Sequence, residues 1–165
     1  MVEKDHEAKG VLIDLDLAVL VVEGDTQQYR PVLGGTLPFL SVDLLVDPPP
    51  RYHLCRYDLE SFVFVLGWIL IRFDEEGLEA RPDGFSDWYI GARTKIRLGK
   101  SGFFSWPTSE PGSRFPSLQK TWLWQLCRLF RDGYSMRDEM QDTGSFDNET
   151  LGGYVTYDTF LKILQ

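Results

Sequence analysis

Hydrophobic positions along the chain follow two rhythms, one extended and one helical. Residues 11–14 and 17–22 are short aliphatic and β-branched runs split by Leu15-Asp16. This is the pattern of two strands around a tight turn, and the turn carries the carboxylates Asp14 and Asp16. A polar stretch over 23–29 and the pair Gly34-Gly35 then break the chain. Residues 38–46 predict a short helix with Pro38 in its first turn, halted by Asp47-Pro48-Pro49-Pro50, where consecutive prolines force an extended connection.

The helical rhythm begins after these prolines. Asp58 stands in an opening turn, and Phe62, Val65, Leu66, Ile69 and Leu70 follow at helical spacing. Val63, Phe64, Trp68 and Ile71 occupy the other faces, so this helix is expected to be buried almost all round. Trp88, Ala92 and Ile96 predict a surface helix over 85–98, and the Gly, Ser and Pro content of 99–112 predicts a loop. A second amphipathic helix is expected over 118–130, with Leu118, Trp122, Leu126 and Phe130 on one face. The polar, glycine-containing stretch 132–153 reads as an insertion or mobile loop, and 156–164 as a short packed helix. The fold class is therefore mainly α with a small N-terminal β element. A charged segment, 1–9, precedes a single domain over 10–165.

Composition adds exclusions. A chain of 165 residues that is 43% apolar can build one core, since a domain of this size buries roughly 70% of the surface its unfolded chain exposes. The formal net charge of -8 argues against a nucleic-acid footprint or an anionic membrane, both of which call for a basic face. Cys55 and Cys127 are too few and too far apart for a disulfide framework or a metal knuckle, and His6 and His53 add no ligand spacing. No zinc site is expected, and a reducing intracellular setting, cytoplasmic or nuclear, is the simplest expectation. The N-terminus lacks the apolar core of a secretory signal, and the longest apolar stretch, 62–71, is too short to span a bilayer.

The candidate chemistry sits at the first turn. Asp14 follows an apolar strand and precedes a turn, where a carboxylate can face a metal ion. Asp14 and Asp16 are close enough to repel each other unless a cation or an arginine neutralises them. Taken without context, they are equally a solvated acidic turn with local hydrogen bonds. Two further pieces follow in order: Gly35-Thr36-Leu-Pro-Phe39-Leu-Ser41-Val42-Asp43, and Tyr57-Asp58-Leu59-Glu60-Ser61 at the start of the apolar helix.

These pieces together resemble the fungal-type protein kinase family. Asp14-Leu15-Asp16 stands where kinases have Asp-Phe-Gly. Gly35-Thr36 and Ser41-Val42-Asp43 resemble the end of an activation segment. Tyr57-Asp58-Leu59-Glu60-Ser61 resembles the start of the central helix in casein-kinase-one relatives. The specific resemblance covers residues 9–73, with a looser pattern match from Phe115-Pro116 onward. It implies a kinase-like C-terminal lobe, a parent activity of ATP γ-phosphoryl transfer to protein Ser or Thr, and magnesium and ATP as cofactors of a complete parent kinase. Asp14 is then the expected metal and cofactor ligand, with Asp16 beside it. Thr36, after Gly35, is expected to bond the catalytic-aspartate loop. Asp43 is expected to pair with a late arginine, for which Arg128 is the candidate, and Asp58 to hold the catalytic-loop backbone as a buried anchor.

The departures weigh equally. No glycine-rich cover, anchoring lysine or partner glutamate fits ahead of Val11, no His-Arg-Asp triplet occurs, and Asp16 replaces a glycine. The expectation is a fragment or remnant of such an enzyme that is inactive as this chain; supply of the missing half from upstream or by another chain is a further reading. The alternative is a pseudokinase-like interaction or regulatory module. A protein partner, a missing N-lobe or self-association would cover the apolar surface of either.

Overall fold

A computed structural model describes residues 35–73, 76, 85–107, 115–140 and 144–165. Helix dominates them. The long elements are α1 (Cys55–Arg72) and α2 (Arg93–Ser105). A further helix starts as α3 (Pro116–Leu118), passes through a π turn (Gln119–Leu123) and continues as α4 (Trp124–Glu139), and α5 (Tyr157–Leu164) ends the chain. The strands expected over 11–22, and the segment 1–9, lie outside the described residues.

The expected helix at 38–46 is two 3-10 turns, Leu37–Phe39 and Val42–Leu45. Pro38 opens the first, and the segment ends before the prolines as the pattern required. In α1 the buried positions are Arg56, Tyr57, Leu59, Glu60, Val63, Phe64, Gly67 and Leu70, which recur at three and four residues and form one stripe. The opposite stripe faces outward, with Phe62 64% and Ile69 45% exposed, so α1 is not buried all round.

Aromatic rings fill the space between helices. Phe64 of α1 meets Trp88 edge to face at 5.0 Å and stacks on Phe104 of α2 at 5.4 Å. Phe104 stacks in turn on Phe130 of α4, also at 5.4 Å. These offset and T-shaped geometries suit the ring quadrupoles, and they tie three helices through adjacent contacts.

Two further expectations are corrected. The helix predicted over 85–98 is a 3-10 turn, Ser86–Trp88, followed by α2 starting at Arg93. α2 runs through Gly99 and Gly102 to Ser105, inside the span expected as a loop, because Ile96, Lys100, Phe103 and Phe104 supply a buried stripe. Packing of that stripe outweighs the glycine penalty of about 1 kcal/mol per residue.

The stretch 132–153 is likewise not all loop, since α4 extends to Glu139. Most described residues beyond it are exposed, but Leu151 and Val155 are buried. Gly133 of α4 makes room: a Cβ there would stand 2.9 Å from the Leu151 Cβ. The last helix is as expected, with Thr156 capping the Thr159 amide at 3.0 Å and Phe160 buried.

Candidate functional site

Charged side chains in the core converge on one short stretch, residues 37–43. Lys100 of α2 is completely buried, and its ammonium lies 3.0 Å from the Leu37 carbonyl and 2.5 Å from the Leu40 carbonyl. The Phe64 ring lies beneath the same nitrogen, at 4.5 Å. Burial pushes the Lys100 amine down to about 7, and the charge of Glu60 only partly restores it.

Glu60 of α1 holds the next two residues. Its carboxylate accepts from the Val42 amide at 2.8 Å, the Ser41 hydroxyl at 2.7 Å and the Tyr134 hydroxyl at 2.7 Å. Complete burial raises the Glu60 carboxyl above its ordinary range despite these three donors.

Asp43 is clasped by two guanidinium groups. Arg56 Nη2 lies 2.5 Å from Oδ2, and Arg137 Nη1 lies 2.9 and 2.8 Å from Oδ1 and Oδ2. Burial alone would raise the Asp43 carboxyl, but Arg56 and Arg137 outweigh it and hold it below the usual value. Arg56 also donates to the Asn148 carbonyl at 2.7 Å, joining α1 to the turns ahead of α5. Arg56 and Glu60 stand four residues apart, one turn of the same buried stripe of α1.

The expected residues fall as follows. Asp14 and Asp16 lie outside the described residues. Gly35 has φ +130° and Thr36 is exposed, its carbonyl accepting from the Phe39 amide at 2.8 Å and its side chain making no cap bond. Asp43 has its late arginine, but that residue is Arg137; Arg128 is solvent-exposed and faces Asp132 at 3.5 Å. Nine residues separate the two arginines on one helix, and 900° of rotation puts them on opposite faces.

Asp58 is not a buried anchor in the described structure. Its side chain is 64% exposed and bonds His53 at 2.8 Å. The buried carboxylate of α1 is Glu60, two residues and 200° further round. Lys100, Arg56 and Arg137 were also missed. The signal available for Arg56 and Glu60 was a charged pair at i, i+4 continuing into the apolar stripe of Val63, Gly67 and Leu70. Lys100 was hidden by the glycines around it.

Chemically, this arrangement holds a segment in place. Among the described residues no cluster of His, Cys, Asp and Glu could bind a metal ion. The exposed His53 is raised by its hydrogen bond to Asp58, so it is more often protonated. Burial and the neighbouring acids Asp58 and Glu149 push the Cys55 thiol up, away from a thiolate. Cys127 is a buried small hydrophobe with its thiol pushed up by burial. No helix among the described residues is long and apolar enough to cross a membrane.

Comparison with known proteins bears on the N-terminal part of the chain. Residues 1–70 match the family model described as fungal protein kinase. That span includes Asp14, the clasped 37–43 stretch and most of α1, so the resemblance read from the sequence is shown there. No curated protein and no solved structure matches the chain.

Proposed function

We propose that this chain is the substrate-side part of a fungal-type protein kinase, a C-lobe whose parent activity is transfer of the ATP γ-phosphate to protein Ser or Thr. One observation carries the reading: the stretch 37–43, within the family-matched span, is held by ionisable side chains from α1, α2 and α4. Phosphoryl transfer depends mostly on positioning and charge neutralisation, so a rigidly seated segment beside the reacting groups is the part such a lobe supplies. In this reading Asp14 and Asp16 face magnesium, and the residues of this chain do not by themselves transfer phosphate, since the sequence holds no His-Arg-Asp triplet.

The test is direct. Purified chain with magnesium, labelled ATP and a generic Ser/Thr protein substrate is expected to give no transfer above background. Transfer that Asp14→Asn abolishes would overturn the inactivity.

A second reading, a non-catalytic interaction module, is favoured by large apolar side chains left in water: Trp106 is 81% exposed, Leu98 66% and Phe62 64%. Light scattering separates it. Association that Phe62→Asp or Trp106→Ser removes supports a module, and a monomer across the accessible concentration range counts against it.

A further inference from the structure

The clasp on residues 37–43 is not uniform. Its C-terminal end has many holds: Asp43 has two arginines, Ser41 and Val42 both bond Glu60, and Val42, Leu44 and Leu45 are buried. Its N-terminal turn, Leu37–Phe39, has no buried residue, and among the described residues the one charged side chain bonded to it is Lys100. The turn is closed by Phe39 N–H to the Thr36 carbonyl at 2.8 Å and by a longer Leu40 N–H to the Leu37 carbonyl at 3.4 Å. Phe39 adds an edge-to-face contact with Trp68 at 5.5 Å.

Two carbonyls and a ring face are a poor replacement for water around an ammonium. No carboxylate lies within ion-pair distance of Lys100 among the described residues. Glu60 of α1 acts on it only through space, and its oxygens are taken by Val42, Ser41 and Tyr134. Asp43 is committed to Arg56 and Arg137, and Asp87, within the 3-10 turn Ser86–Trp88 packed on α2, bonds Lys95 at the surface. A neutral amine keeps two N–H donors, enough for both carbonyls, and loses the desolvation penalty.

We propose that Lys100 is a proton-linked latch on the Leu37–Leu40 turn: the turn closes over the neutral amine and opens when the protonated amine takes up water. This goes beyond the kinase reading and does not depend on it, because the latch belongs to the described helices alone. The depressed Lys100 value, about 7, places the switch at neutral pH. Opening returns the amine toward its ordinary value near 10.5, so the open turn binds more protons and is disfavoured as pH rises between the two.

Amide hydrogen exchange at residue resolution, corrected for intrinsic exchange chemistry, tests this. From about pH 6 to about pH 9 the opening equilibrium at Phe39 and Leu40 is expected to fall by roughly two orders of magnitude, about tenfold for each pH unit above about 7. Val42 and Leu44, which exchange only with the unfolding of the whole fold, should stay far better protected than Phe39 and Leu40 at every pH. In Lys100→Met, which fills most of the same space with an unbranched apolar side chain and has no proton to lose, the profile at Phe39 and Leu40 should be flat. A flat wild-type profile, protection at Phe39 and Leu40 no weaker than at Val42 and Leu44, or a slope that persists in Lys100→Met would overturn the latch. Failure of Lys100→Met to fold would overturn it too, since a local latch is dispensable to the helical body.

Discussion

At the scale of single residues, charge placement decides which arginine matters. Asp43 is buried and both its oxygens are used, so removing Arg137 leaves one oxygen with no donor but Arg56 still in place. Arg137→Ala is expected to destabilise the chain by ~1–3 kcal/mol, the range for a hydrogen bond to a charged group. Arg128→Ala, whose side chain is exposed beside Asp132, should stay within ~0.5 kcal/mol. Equilibrium urea unfolding of the two variants checks the pair. Equal effects would deny the assignment of the late arginine. Acid sensitivity follows the same contact. The Asp43 carboxyl is depressed in the folded chain, so its contribution is complete above about 3.8, its unfolded value. It fades as pH falls through the lower folded one. That acid limb should shrink in Arg137→Ala.

Elements obey the periodicity of their apolar residues except where glycine or a lone charge intervenes. Gly67 and Gly102 make the contrast measurable. Both are helical, where alanine ordinarily gains about 1 kcal/mol over glycine. A Cβ at Gly67 would stand 2.7 Å from the Phe103 ring, whereas one at Gly102 meets nothing within 4 Å. Gly102→Ala is therefore expected to stabilise by ~0.5–1 kcal/mol, and Gly67→Ala to destabilise by ~1–3 kcal/mol through overpacking. Thermal unfolding reads both, and a stabilising Gly67→Ala would refute the close approach of α1 to α2. The same residues explain what the sequence revealed. The presence of α1, the face running through Leu126 and Phe130, and the closing helix were legible because local spacing is enough to identify them, but the buried face of α1 was not, since Phe62 and Ile69 of the expected stripe are exposed. α2 was only half legible, since Gly99 and Gly102 signal a break that long-range burial of Ile96, Lys100 and Phe103 overrides. Asp43 was legible as the residue needing an arginine. Its partner was not, because Arg128 and Arg137 differ only in the helix face they occupy, and the length of α4 beyond Phe130 was hidden by its polar composition. Glu60 was passed over for Asp58 because the resemblance drew attention to the first carboxylate of the pair, and only helix phase separates them.

For the whole molecule, buried ionisable groups give the stability an unusual pH profile. A buried lysine that is easier to deprotonate folded than unfolded makes the unfolded chain the better proton binder. Stability then rises with pH from about 7 toward 10.5, opposite to a lysine that gains a partner. Other groups act nearby. His53 is raised by Asp58, so its contribution is present below about 6.5 and lost as pH passes its folded value. Burial of Cys127 lowers stability once an unfolded thiol would ionise, above about 9. The window from about pH 7 to about pH 9 is therefore where Lys100 shows, and comparison with Lys100→Met isolates it because the remaining groups are common to both chains. The wild-type midpoint is expected to rise relative to the variant by on the order of 5 °C across that window, for a chain of this size. Parallel midpoints would mean that Lys100 keeps its proton in the core. The two carbonyls of the 37–40 turn would then be held by a full ammonium at every physiological pH, and the clasp would be a permanent feature of the fold.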